Sequence, residues 1–200
     1  MSAWIEMISD EQAGPALKPM LELARTPHGT VDNVMRVHSL RPHTMEGHIV
    51  LYRAALHNDN NTLPMWLQET IAAYVSVLNE CPYSYANHWA NARHLMGDAD
   101  KADKVEKLIN ETPREQPPCS DVLTEAECAL LDYARKLTIR PGQMQQADVA
   151  VLREGGFSDG EILEANQVIG YFNYANRLLN GLGVTTDGDV VGYYSQDDAT

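Results

Sequence analysis

The sequence predicts an all-α, single-domain protein, and three observations carry that prediction. Apolar residues recur at three- and four-residue spacings through most of the chain, while the two-residue alternation of strands is scarce and no hairpin signal occurs. Two stretches, Thr124-Glu125-Ala126-Glu127 and Ser158-Asp159-Gly160-Glu161, fit the capping box that opens a helix. Prolines stand where helical segments begin, at Pro42, Pro64 and Pro82.

The first helix is expected from about Ala13 to Ala24, closed by the turn Thr26-Pro27-His28-Gly29. A short segment follows over Val31–Ser39. Pro42 opens a longer helix through His57, with Ile49, Leu51, Ala54 and Leu56 among its apolar positions, and Asn58-Asp59-Asn60-Asn61 breaks it. Thr62 is the expected N-cap of the next helix, with Pro64 in its first turn. The charge-rich stretch Asp98–Glu111 reads as a solvated helix with pairs such as Asp100–Lys104, and Thr112–Pro118 as a connector. Leu123 with Cys128, and Phe157 with Ile162, are placed to staple the two capping boxes. Between those helices lies a short one, about Gln145 to Glu154, closed by Gly155-Gly156. The last helix runs to about Gly181. The helical domain is thus expected over 1–184, followed by an acidic tail, 185–200, that is either an oligomer arm or frayed.

Composition bounds the function. Two hundred residues with 44% hydrophobic content suffice for one domain with a real core. A net charge of -13 argues against nucleic acid and anionic membrane as partners. The first twenty residues show no basic, then apolar, leader pattern, and the longest near-apolar stretch, Ile71–Leu78, is far short of a membrane span. A cytoplasmic protein is expected. Three cysteines at scattered spacings do not suggest a disulfide framework; Cys128 reads as structural and Cys119 as exposed and incidental. His38, His43, His48 and His57 lack a usual ligand spacing, so neither metal nor cofactor is expected.

The stretch richest in chemistry is Glu69–His88: Glu69, eleven residues, Cys81, two residues, Ser84, three residues, His88. Pro82 places Cys81 at a helix N-terminus, and Cys81, Ser84 and His88 then share one face. A thiol there meets unpaired N–H groups and the positive end of the helix dipole, both of which favour thiolate. His88 and Glu69 could transfer protons. The residues alone leave alternatives open: Cys81 as a small buried hydrophobe, His88 as an ordinary helix histidine, Glu69 facing inward beside Trp66, Ala73 and Ser76 or outward to solvent. Tyr83 and Tyr85 flank Ser84 as pocket or packing residues. The stripe Asn166, Asn173, Asn176, Arg177 and Asn180 is a solvent face or, with Tyr171, Phe172 and Tyr174 beside it, a subunit interface.

This spacing resembles the carboxymuconolactone decarboxylase and alkylhydroperoxidase D superfamily, whose redox branch carries Glu, eleven residues, Cys-x-x-Cys, three residues, His. LPMWLQETIAAYVSVLNECPYSYANHWANARHL resembles the core of the peroxidase-related branch, as do VHSLRPHTMEGHIVLYRAAL, ALLDYARKLTIRP and VLREGGFSDGEILEANQVIGYFNYANRLLNGLGV. One position departs: Ser84 stands where the family's peroxide-attacking cysteine belongs. The resemblance implies an alkylhydroperoxidase D-like helical fold, homo-oligomers such as trimers or hexamers, and a site of Cys81, Ser84, His88 and Glu69. Three functions follow. Cys81 could work as a single redox thiol resolved by an external thiol reductant, with Glu69 and His88 relaying protons. Glu69 and His88 could instead serve a non-redox, decarboxylase-like lyase acting on a small organic acid, or the chain could be a non-catalytic oligomeric relative.

Overall fold

The computed structural model describes residues 2–194. Among these the chain forms nine α-helices and no strand: α1 Lys18–Leu23, α2 Asn33–Arg36, α3 Pro42–Ala55, α4 Met65–Leu78, α5 Pro82–Met96, α6 Ala99–Glu111, α7 Glu125–Ile139, α8 Gln146–Glu154 and α9 Asp159–Leu182. A 3-10 turn, Pro141–Gln143, links α7 to α8. No helix among the described residues is long and apolar enough to cross a membrane.

The molecule is built around α4. Its sequence is apolar on nearly every side, and such a helix must be enclosed. Every residue from Leu67 to Ser76 is buried, against α5, α7 and α9, with α6 also in contact. Ile71, Tyr74 and Val75 are sealed from solvent, and burying side chains of this size stabilises the fold by about 1.5–3 kcal/mol each. A second, smaller cluster, from Ala13, Leu17 and Leu21 to Met45 and Ile49, seats α1–α3 beside the main core.

Several helix ends follow the expected chemistry. The capping boxes at Thr124 and Ser158 are both formed, and Asp98 caps α6 through the Lys101 N–H. On α6 the stripe Ala102, Val105 and Ile109 is buried while Asp100 pairs with Lys104 at 2.6 Å on the outside. α9 ends on Gly183 in the left-handed conformation at φ 58°, a shape that costs an L residue strain.

Other ends differ. α1 begins at Lys18 rather than near Ala13, because Pro19 has no N–H to give the carbonyl of Pro15. On α3 Leu51 and Ala54 face solvent, and the buried positions are Met45, His48, Ile49 and Ala55. Thr62 does not cap α4; Pro64 occupies that position. The Thr62 N–H and hydroxyl and the Leu63 N–H instead donate to the Glu164 carboxylate of α9, at 2.8–3.2 Å. Cys119 and Cys128 form a disulfide with Cα atoms 5.0 Å apart, correcting the expectation of unpaired thiols.

Within the polar stripe of α9, Arg177 and Asn180 are exposed, while the other three residues turn to the neighbouring helices. Asn176 is sealed inside and donates to Ser76 at 3.3 Å, Asn173 joins Asn79 and Thr138, and Asn166 donates to Tyr133. These three form a polar seam zipping α9 onto α4 and α7. Within the first ten residues of the expected tail, several groups bond to α2 and α5. Asp189 accepts from the Asn33 N–H and the Tyr83 hydroxyl, and the Gly192 and Tyr193 N–H groups donate to Asn87 and Asn91 of α5. Residues 195–200 of the expected tail lie outside the described residues.

Candidate active site

The turn between α4 and α5 positions the motif. Glu80 adopts the left-handed conformation at φ 52°, its N–H donates to Val77 O, and the Cys81 N–H reaches back to Ser76 O at 2.9 Å. This is a Schellman closure of α4 whose following residue, Cys81, is at once the N-cap of α5. Asn180 of α9 clamps the turn by donating to Asn79 O at 2.9 Å.

From that turn α5 runs antiparallel to α4 and carries its functional face along it. Glu69, central in α4, is fully enclosed. Its carboxyl accepts from His88 Nδ1 at 2.6 Å and from Asn91 Nδ2 at 3.1 Å. Because a carboxylate accepts, Nδ1 of His88 carries the proton, and in the neutral ring Nε2 holds the free lone pair. Phe172 packs against this imidazole, with ring centres 4.4 Å apart. Glu69, His88 and Asn91 form an oriented acid–base assembly.

Ser84 lies one turn before His88 and is buried. Its hydroxyl is 2.8 Å from that of Ser76, which also accepts from Asn176. Cys81 is 2% exposed and packs with Ala3, Val37, Tyr83, Leu179 and Val184. Burial pushes its thiol up from the ordinary range, and the backbone N–H groups of Ser84 and Tyr83 pull more weakly the other way. Burial and the helix terminus thus pull the thiol in opposite directions, burial the more strongly.

A cavity of about 70 Å³ opens beside this assembly. At roughly 10–15 Å³ per water it holds several waters or one small molecule. Ser84, Asn87, His88 and Asn91 of α5 form one side, Tyr171, Phe172 and Ala175 of α9 another, and Ile49 and Tyr52 of α3 a third. Val190, Gly192 and Tyr193 of the C-terminal segment lie across it as a strap. Tyr83 lines the cavity and ties to Asp189 at 2.6 Å. Tyr85 points the other way, to Glu106 and Asn110 of α6, and is not part of the lining among the described residues. Glu69 stands behind His88, and Cys81 lies in the apolar cluster beyond Tyr83.

Sequence reasoning missed several lining residues. Asn91 carried a signal, since it continues the i, i+3, i+7 face of Cys81, Ser84 and His88. Tyr52 and Tyr171 come from helices remote in sequence and carried none. His57 bonds the Tyr52 hydroxyl at 2.7 Å, and its ring stacks on Tyr193. Burial pushes its titration down, favouring the neutral ring.

Three solved structures share this architecture. A protein from Ralstonia eutropha JMP134, described as an alkylhydroperoxidase AhpD core and an uncharacterized peroxidase-related protein, superposes with a TM-score of 0.77 at 21% identity, covering 94% of each chain. An uncharacterized peroxidase-related protein from Silicibacter sp. TM1040 gives 0.76 at 23% identity, covering 94% of this chain and 93% of its own. The chain has the AhpD-like fold. The debrominase Bmp8 shares it too, with a TM-score of 0.72 at 18% identity over 94% and 92% of the two chains. No protein-family model and no curated relative matches the sequence. Within the AhpD-like fold, α4 and α5 here carry the Glu69–His88 assembly, and α3, α9 and the strap complete its cavity.

Proposed function

We propose that this protein is an enzyme that moves protons on a small molecule held in the cavity, with His88 as the acid–base group. The observation that carries the reading is the 2.6 Å bond from His88 Nδ1 to the buried Glu69, on a histidine that lines the cavity. Glu69 fixes the tautomer, so Nε2 receives a proton from the substrate, and the imidazolium that develops lies against the carboxylate. A positioned general base of this kind contributes about 10²–10⁴-fold in rate. Proton transfer to and from the bound molecule, with lyase or isomerase outcomes, is the reaction class. Cys81 supports the wall instead of attacking.

A second reading keeps the single redox thiol, and one observation favours it: the Ser84 and Tyr83 N–H groups face the Cys81 sulfur. There the thiolate would attack a hydroperoxide, forming a sulfenate and an alcohol, and an external thiol would reduce the sulfenate because Ser84 cannot. Both readings take the protein as a cytoplasmic homo-oligomer. The discriminating experiment assays wild type, His88→Ala, Glu69→Gln and Cys81→Ser on two panels: small lactones and hydroxylated cyclic ketones, and cumene hydroperoxide with dithiothreitol. Turnover on the first panel, lost in His88→Ala and kept in Cys81→Ser, supports the proton-transfer reading. Hydroperoxide turnover abolished by Cys81→Ser overturns it in favour of the thiol.

A further inference from the structure

A buried hydrogen-bonded chain outside the Glu69–His88 assembly reaches the same cavity. It comprises Thr44 Oγ1 to His38 Nδ1 at 2.8 Å, His38 Nε2 to His48 Nδ1 at 2.9 Å, and His48 Nε2 to the Tyr171 hydroxyl at 2.6 Å. Its direction is fixed from one end. The Thr44 hydroxyl donates to the Arg41 carbonyl at 2.8 Å, so Thr44 accepts from His38 Nδ1–H. His38 Nε2 then has only a lone pair, His48 Nδ1–H donates to it, and Tyr171 donates its own proton to His48 Nε2. Both imidazoles are buried and stay neutral, His48 with its titration pushed down to about 3 by burial and by His38. Tyr174 is the other ring against His48. The consequence for the cavity is plain: the Tyr171 oxygen, its proton spent, can only accept.

Several other lining groups already give a proton to the protein. His28 Nε2 donates to the Gly192 carbonyl at 3.1 Å, Tyr83 donates to Asp189, and His88 Nδ1 donates to Glu69. Asn87 and Asn91 each give one amide N–H to the protein and accept a strap N–H. Arg53, on the exposed rim, ties to the Leu23 carbonyl. Beside these engaged groups stands an unsatisfied acceptor: Asp32 lines the cavity, and its buried Oδ1 has no partner among the described residues. A buried carboxylate oxygen without a donor costs about 1–3 kcal/mol or more, and a ligand O–H or N–H would remove that cost.

We propose that the cavity selects a small ring bearing hydrogen-bond-donating hydroxyl groups, a dihydroxybenzene-like molecule, seated through Tyr171 and Asp32, and excludes carboxylate anions. The aromatic walls Tyr52, Tyr171, Phe172 and Tyr193 suit a flat ring, and an anion would face Asp32 and the Glu69 dyad. This names the substrate class of the proton-transfer site and rests on that reading for its chemistry, though not for binding.

The test measures binding, not turnover. Catechol, 1,2-dimethoxybenzene and benzoate are titrated calorimetrically into wild type, Tyr171→Phe, Asp32→Asn and His88→Ala, with thermal unfolding confirming that each variant is folded. Catechol is expected to bind wild type at least tenfold more tightly than either other probe, and Tyr171→Phe and Asp32→Asn each to weaken it about three- to tenfold. Dimethoxybenzene or benzoate binding as well as catechol overturns the inference on wild type alone, as does catechol affinity unmoved in both variants. Selective catechol binding in a protein whose turnover ignores His88→Ala would uphold the inference while removing the proton-transfer reading.

Discussion

The sharpest consequence of the structure concerns Cys81. It is 2% exposed, sits in an apolar cluster, and has its titration pushed upward by burial. An ordinary cysteine of pKa about 8.5 is about 3% thiolate at pH 7, whereas an activated one of pKa about 6 is about 90% thiolate, a ~30-fold difference in the reactive form. Cys81 should fall at or below the lower figure, and limited access slows it further. With Cys119 and Cys128 joined, it is also the free thiol of the native chain. The assay is iodoacetamide labelling of native wild type from pH 6 to 10, followed by mass spectrometry, with urea-unfolded protein as the reference. Native labelling should be at least tenfold slower than unfolded at pH 7, with its midpoint above about 8.5 and unmoved in His88→Ala, because His88 is held by Glu69. Fast labelling with a midpoint below about 7.5 would mean that the helix terminus overcomes desolvation. Catalysis would then pass back to the Cys81 sulfur.

Four further outcomes are expected. Glu80→Gly should raise stability by about 1 kcal/mol in urea titration, since Glu80 closes α4 at φ 52°, which strains an L residue. Ser76→Ala should cost about 1–3 kcal/mol in the same assay, because it strips a partner from the sealed Asn176. Asp32 titrates near 6 when folded, raised mainly by burial and then by Asp189, so its contribution is present below its unfolded value and lost as pH rises through 6. Asp32→Asn should therefore stabilise by about 1–2 kcal/mol at pH 8, after discounting for partial exposure, and by little at pH 3.5; equal gains at both values would refute the assignment. Reducing the Cys119–Cys128 bridge, which spans nine positions, should cost about 2–3 kcal/mol, read as a fall in melting temperature with dithiothreitol that is absent in Cys119→Ser.

The local devices of the fold were legible in the sequence because their chemistry is short-range. Two capping boxes, the Pro82 entry to α5 and the glycine closing α9 each lie within four or five residues. The inward face of Glu69 was only half legible, since spacing alone allowed both orientations. What failed was non-local. Thr62 looked like a cap until Glu164, 102 residues away, took its N–H and hydroxyl. The asparagines of α9 had the composition of a solvent face, but their partners Ser76, Asn79, Tyr133 and Thr138 are 33 to 100 residues distant. His38 and His48 fail every metal spacing, and their role appears only when α9 brings Tyr171 to them.

The position of Ser84 ties these strands together. Its hydroxyl is engaged with Ser76, and Ser76 with Asn176, so three helices meet at a satisfied polar junction at the centre of the molecule. A thiol there would be a weaker hydrogen-bonding partner for Ser76; the serine instead fastens α5 to α4 one turn below His88. Buried networks of this kind are worth most when every member is satisfied, and they rigidify what they touch. Ser84 thereby tightens the scaffold that holds His88 at the cavity. Ser84→Cys should accordingly loosen the junction by about 1 kcal/mol and place a second thiol near Cys81. If that variant gained dithiothreitol-dependent hydroperoxide turnover while losing proton-transfer activity, the two chemistries would be shown to compete for one turn of helix. If it gained neither and lost no stability, the junction would not be the determinant argued for here.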